Sequence, residues 1–148
     1  MRRSVIFEVV VRAEFHTLVL IALYLLFAGH NQPGGGFTGG LVAGSAIALR
    51  WLAAGPGEIR HLLRVAPTTV LGVGLVVAAV SALGPLVVGG AVLDHGTVTV
   101  TMPLLGAAKL SGALVFDTGV FLVVVGMVAV LLDALGDVDD LPGSEPAP

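Results

Sequence analysis

The sequence predicts an all-α integral membrane protein: four transmembrane helices, a Gly-rich outer loop between the first two, and both termini in the cytoplasm. Three observations lead there. Of the 148 residues, 56% are apolar and only 11% are charged, whereas a soluble domain carries about 25% charged residues. The apolar residues gather in four runs close to the roughly 20 helical residues that a hydrocarbon core demands. Lys and Arg are spread unevenly over the segments joining those runs, and that bias sets orientation.

The first run spans Val9 to Ala28. Arg2 and Arg3 ahead of apolar residues resemble a signal peptide, but Glu8, Arg12 and Glu14 interrupt the pattern, so a retained span is expected. Glu8, Arg12 and His16 follow one another at helical i, i+4 spacing. Glu ahead of Arg is the favourable order for an ion pair within a helix, and this pair is expected to satisfy itself at the cytoplasmic end. His16 lies deeper. It is read either as a hydrogen-bonded structural residue or as a group whose unperturbed pKa suits proton work.

The run is followed by the most unusual stretch of the chain, from His30 through Pro33 and Gly34-Gly35-Gly36 to Gly40. Pro33 fixes φ and lacks a donor. The glycines after it permit backbone conformations that other residues avoid, so one helix stops and the next starts at a sharp angle. Gly36, Gly40, Gly44 and Ala48 then recur every four residues, a small-residue stripe that lets membrane helices approach closely. Gly34-x-Gly36-x-x-Gly39 matches the dinucleotide fingerprint only as a string. The fingerprint requires a preceding strand, and here a spanning helix precedes it. The second run, Gly39 to Ala54, is short and either tilts less or borrows residues from the glycine loop.

The third run spans Val65 to Val88. Arg2, Arg3 and Arg12 stand around the start of the first run, and Arg50, Arg60 and Arg64 around the end of the second and before the third, while the other two links share only Lys109. The positive-inside rule therefore puts the N-terminus and the second link in the cytoplasm. The long third link carries Asp94-His95-Gly96 and an alternation of Thr and Val over Thr97 to Thr101, the pattern of a short strand or extended loop, which Pro103 ends. His30, Asp94 and His95 share the outer side but supply too few ligands for a metal. No cysteine is present, which removes thiolate chemistry, disulfides and cysteine metal sites. Neither a cofactor motif nor a nucleophile constellation is found, so no cofactor and no enzyme activity are expected. Seven basic residues with a net charge of −3 give no nucleic-acid face.

The fourth run spans Leu110 to Leu132. It carries Asp117 near its middle and Lys109 at its outer end, about 12 Å apart along a helix axis. An intramembrane charge is a functional pointer by default. Asp117 is read as part of a proton or cation relay or, alternatively, as a structural interhelix hydrogen-bonding group. Lys109 either has a partner elsewhere or snorkels to the interface. Gly112, Gly119 and Gly126 recur every seven residues on a face roughly 140–160° from Asp117. A packing seam on one side and a carboxyl on the other are more than four helices are expected to bury, which points to a larger assembly. No internal repeat suggests the inverted halves of autonomous transporters. The domain expectation is a single four-helix membrane unit over 1–136 and an acidic, flexible tail over 137–148.

Two blocks carry a family resemblance. Gly29-His30-Asn31-Gln32-Pro33-Gly34-Gly35-Gly36-Phe37 with Gly39-Gly40-Leu41-Val42-Ala43 resembles the hallmark of the MrpB/MnhB family, one of the small subunits of the Mrp-type (Mnh) multisubunit Na⁺/H⁺ antiporters. Lys109-Leu110-Ser111, continuing through Leu114-Val115-Phe116-Asp117-Thr118-Gly119 to Gly126, is similar to that family's second block. Thr38 departs from the aliphatic residue expected there. The resemblance implies a multi-pass protein of the bacterial plasma membrane within a hetero-oligomeric antiporter moving Na⁺ and H⁺. Its implied partners are other antiporter subunits, among them large ones related to the membrane arm of respiratory complex I. It implies a part in assembly and in lining the cation or proton route. Asp117, Lys109 and His16 are the coupling candidates. Pro33, Gly34, Gly35, Gly36, Phe37, Gly40, Gly44, Gly112, Gly119 and Gly126 are the subunit-interface candidates. A similar subunit serves membrane-bound hydrogenases, so a scaffold of a redox-coupled pump is the alternative.

Overall fold

Four long helices form, each from one of the apolar runs. A computed structural model describes residues 5–29, 34–55, 62–87, 89, 97–102 and 106–139. Helix α1 covers Val5–Ala28, a stretch free of Gly and Pro, and takes in Glu8 ahead of the predicted start at Val9. Helix α2 covers Gly36–Ala54, 19 residues. It thus borrows Gly36, Phe37 and Thr38 from the glycine stretch and reaches about 28 Å at 1.5 Å per residue, close to a bilayer core. Both of its ends are glycines in a backbone region essentially closed to other residues: Gly35 at φ 96, ψ −172 and Gly55 at φ 99, ψ −179. The Gly55 N–H donates to the Trp51 carbonyl at 2.8 Å.

Helix α3 covers Pro67–Val87. Proline suits the first helical position, where no N–H is needed, and the Thr69 and Val70 N–H groups donate to the Ala66 carbonyl. Pro85 stands in its last turn. Strands β1 (Thr97–Met102) and β2 (Gly106–Ser111) then pair antiparallel, with Thr97 opposite Ser111, Thr99 opposite Lys109 and Met102 opposite Gly106. The Thr/Val alternation does become a strand. Its partner strand corrects one expectation: Lys109, Leu110 and Ser111 belong to β2 and not to the fourth helix. Backbone groups of β1 demand pairing, and the six residues that follow position 105 supply it. The four-helix class therefore stands with a hairpin inserted before the last helix. Helix α4 covers Gly112–Asp139 and runs past the predicted end at Leu132 to include residues 137–139 of the expected tail. Residues 140–148 lie outside the described residues.

The helices stand in a row ordered α1, α2, α4, α3, with α1 meeting α4 only briefly. The inner members are the more covered: 39% of the α2 span and 28% of the α4 span are buried, against 17% for α1 and 6% for α3. Ala22, Ala43, Ile47, Val125 and Ala129 form the core, with Phe15, Val42, Trp51, Phe121 and Leu132 packed around it. Small residues at the core let the backbones close up. A Cβ on Gly40 would lie 2.8 Å from Val124 Cβ, and one on Gly44 would lie 2.9 Å from Val128 Cγ2. On the other side of α4, a Cβ on Gly119 would meet the Ala78 backbone N at 2.5 Å, and one on Gly126 the Leu71 backbone N at 2.5 Å. Inside the row, α4 thus meets α3 on its glycine seam and α2 on its Asp117 side, while Asp117 itself stays half-buried.

Candidate functional site

Asp117 sits in the second turn of α4, half-buried, against the start of α2. A Cβ built on Gly35 would lie 3.4 Å from both carboxylate oxygens, and one on Gly36 would overlap the Asp117 carbonyl oxygen itself. At Gly35 space is ordinary and the φ of 96 excludes other residues. At Gly36 the backbone contact does so. The end of α1 closes the third side: the Gly35 N–H donates to the Leu25 carbonyl at 3.1 Å, and Gly34 packs on Gly29 and Leu25. Within α2, the Gly39 N–H and the Thr38 hydroxyl both donate to the Gly35 carbonyl, at 3.0 and 3.2 Å.

This geometry has an electrostatic consequence. The first N–H groups of a helix have no intrahelical acceptor, and the aligned peptide dipoles make that end partly positive. The start of α2 and Asp117, far apart in sequence, are brought side by side.

The other coupling candidates stand elsewhere. Lys109 is on β2 opposite Thr99, so it shares no helix with Asp117. His16 is exposed on α1, its Nδ1 3.2 Å from the Arg12 carbonyl oxygen and its ring edge-on to Phe15 at 5.8 Å. It lies about 14 Å along α1 from Leu25 at 1.5 Å per residue, well away from the Asp117 site. The Glu8–Arg12 pair forms as expected, at 3.4 Å.

Of the interface candidates, Gly34, Gly35, Gly36, Gly40, Gly44, Gly119 and Gly126 all contact this chain's own helices. Phe37 points outward, 57% exposed. Gly112 opens α4. Pro33, His30, Asp94 and His95 lie outside the described residues. Among the described residues no group of three His, Cys, Asp or Glu could hold a metal.

Two features escaped the sequence reading. The Arg50 guanidinium stacks over the Phe15 ring at 5.4 Å. Its only sequence signal was charge, which the orientation rule absorbed. Asp133, just past the predicted end of the fourth run, lines a cleft of about 390 Å³ with Arg64, Val65, Ala66 and Pro67 at the far end of α4.

The chain is similar to known proteins along most of its length. Residues 6–130 match the family model described as a domain related to the MnhB subunit of Na⁺/H⁺ antiporter. An Na(+)/H(+) antiporter subunit of Bacillus subtilis is 40% identical over 120 residues, which is 81% of this chain and 84% of the relative. Its counterpart of the same name in Alkalihalophilus pseudofirmus is 33% identical over 136 residues, 92% of this chain and 94% of the relative. Among solved structures, the Mrp complex from Dietzia sp. DQ12-45-1b contains a chain with TM-score 0.77 and 34% identity. That match covers 96% of this chain but only 15% of the longer one.

Proposed function

The chain belongs to the family of the MnhB subunit of Na⁺/H⁺ antiporters, and we propose that it serves as a multi-pass membrane component of a multisubunit antiporter in the bacterial plasma membrane. In this reading it transports in company with other antiporter subunits and does not catalyse a reaction of its own. The relatives are named for antiport, and the solved match is the Mrp complex, which favours this reading over a redox-coupled pump.

The observation that carries a role in coupling is the meeting of Asp117 with Gly35 and Gly36 at the start of α2. A charge that arrives near this carboxylate, whether proton or cation, competes with the helix end for it. Occupancy of the site then changes how firmly α2 is held against α4. With the N-terminus and the 55–66 link in the cytoplasm by the positive-inside rule, the site lies toward the outer side of the membrane. Lys109 lies near the same side, just ahead of α4. His16, deep in α1, belongs to a separate point on the route. The exposed Phe37 beside the site is the contact offered to another subunit, with Pro33 close to it in sequence.

Asp117→Asn in the assembled complex tests this. Coupling by Asp117 predicts that Na⁺-driven proton movement in inverted membrane vesicles is abolished while the tagged chain still copurifies with the other subunits. Unchanged exchange, or loss of the complex, makes the residue structural.

A further inference from the structure

Resting on the reading of this chain as one component of an antiporter, we infer that the exposed side of α1 is covered by transmembrane helices of a larger neighbouring subunit, whereas the outer side of α3 meets lipid. The span of α1 is Ile6–Ala28, which puts its midpoint at Thr17. His16 is one residue and Glu14 three residues from that midpoint, or about 1.5 and 4.5 Å at 1.5 Å per residue. The hydrocarbon core extends about 15 Å from its centre, so both groups sit deep within it. Both are exposed on the surface of this chain.

The inward side of α1 is apolar and occupied: Val11, Ala22 and Leu26 are buried. Arg12, with its side chain 65% exposed, is long enough to bend its head toward the interface. Glu14 and His16 are too short for that. Ionisable groups at such depth lie against protein or a water-filled cavity, not against lipid tails. Glu14 and His16 are two residues apart, about 200° around the helix at 100° per residue, so they occupy opposite flanks. A single helix laid on one flank does not reach the other. The partner therefore presents more than one helix, with donors toward Glu14 and acceptors toward the Arg12–His16 flank.

The other end of the row is different in kind. The outer side of α3 exposes Val73, Leu75, Val76, Val80, Leu83 and Leu86, and Pro67–Val87 contains no ionisable residue. That surface is satisfied by acyl chains. The relatives add a second, independent support. The same unit occurs as a separate chain of similar length, with 84% and 94% of the relatives covered, and as 15% of a far longer chain in the Mrp complex. A unit found both free and joined to a long polypeptide is one that docks on a large partner.

The chain contains no cysteine, so an introduced thiol is the one label site on this chain, and the cysteine-free parent complex, labelled in parallel, gives the background from other subunits. Thr17→Cys on α1 and Val76→Cys on α3 are each labelled with a maleimide–benzophenone in membranes containing the assembled complex, photolysed, and purified through a tag on this chain. The expected result is a covalent adduct of Thr17→Cys to a large multi-span subunit, and lipid adducts alone from Val76→Cys. Lipid adducts alone from Thr17→Cys, in a complex that copurifies and still exchanges ions, overturn this inference and leave the functional reading standing. A protein adduct from Val76→Cys overturns the assignment of α3 to lipid. A chain that purifies folded and alone overturns both the inference and the antiporter reading.

Discussion

Gly36 and Gly72 are the same residue in the same kind of helix, yet their substitution has opposite consequences. A Cβ on Gly36 overlaps the Asp117 carbonyl oxygen, a backbone atom that cannot rotate away, whereas one on Gly72 meets nothing within 4 Å. Overpacking a tight contact costs about 1–3 kcal/mol, and relieving the helix of a glycine gains roughly 0.5–1 kcal/mol. Gly36→Ala is expected to lower the thermal stability of the detergent-purified complex, and Gly72→Ala to leave it equal or slightly raised. Equal effects from the two would show that the α2–α4 contact is looser than described. Gly126→Ala, whose Cβ would stand 2.5 Å from the Leu71 backbone N, belongs with Gly36. Gly35 fails for a different reason: a side chain has room there but not the conformation. At φ 96 and ψ −172, a residue with a Cβ stores about 1–3 kcal/mol of strain. Gly35→Ala is expected to destabilise comparably to Gly36→Ala while leaving the side-chain contacts of Asp117 unchanged. A Gly35→Ala complex as stable as the parent would argue against that backbone geometry.

Among the elements, the β1–β2 hairpin is the one least supported by its surroundings. Its contact with the helices is chiefly where β2 runs into α4. Two strands alone are marginal in water, so the hairpin holds chiefly through its own ladder, which runs from Thr97 opposite Ser111 to Met102 opposite Gly106. Val100→Pro removes a backbone donor and conflicts with an interior strand position. Faster protease cleavage within 97–111 is expected, with the four helices and their mutual packing unaltered. A collapse of the α3–α4 contact in that variant would mean that the hairpin sets the spacing of those helices.

At the scale of the molecule, a row of helices is less cooperative than a closed bundle, because an end helix rests mainly on one neighbour. Helix α3 touches α4 through Gly74, Gly119 and Gly126 and has 6% of its span buried. Gly119→Val is therefore expected to free α3 alone. Spin labels at Val76→Cys and Leu20→Cys should then show a broadened distance distribution, while labels on α1 and α2 at Leu20→Cys and Leu49→Cys keep theirs. Broadening of both pairs would show that the four helices move as one unit. The same linear order gives α4 a neighbour on each face: α3 meets its glycine seam and α2 its Asp117 side. The exposed ionisable groups near the middle of a span are instead on α1, Glu14 and His16.

The sequence by itself determined the four spans and the break between the first two. Each rests on local chemistry: an apolar run of bilayer length makes a helix wherever it occurs, and glycines after a proline interrupt one. It also singled out both halves of the site, the glycine stretch and Asp117, and through them the family. Composition and spacing did not reveal that the two halves touch, that Lys109 belongs to a strand, that Arg50 covers Phe15, or that the glycine stripes face inward. Those depend on which helix lies beside which. Small residues at helical spacing promise a close contact without naming the partner, and a carboxyl in a membrane demands a partner without saying where it comes from. Only the order α1, α2, α4, α3 brings the start of α2 to Asp117, because backbone packing between helices distant in sequence chooses the neighbour that local pattern leaves open.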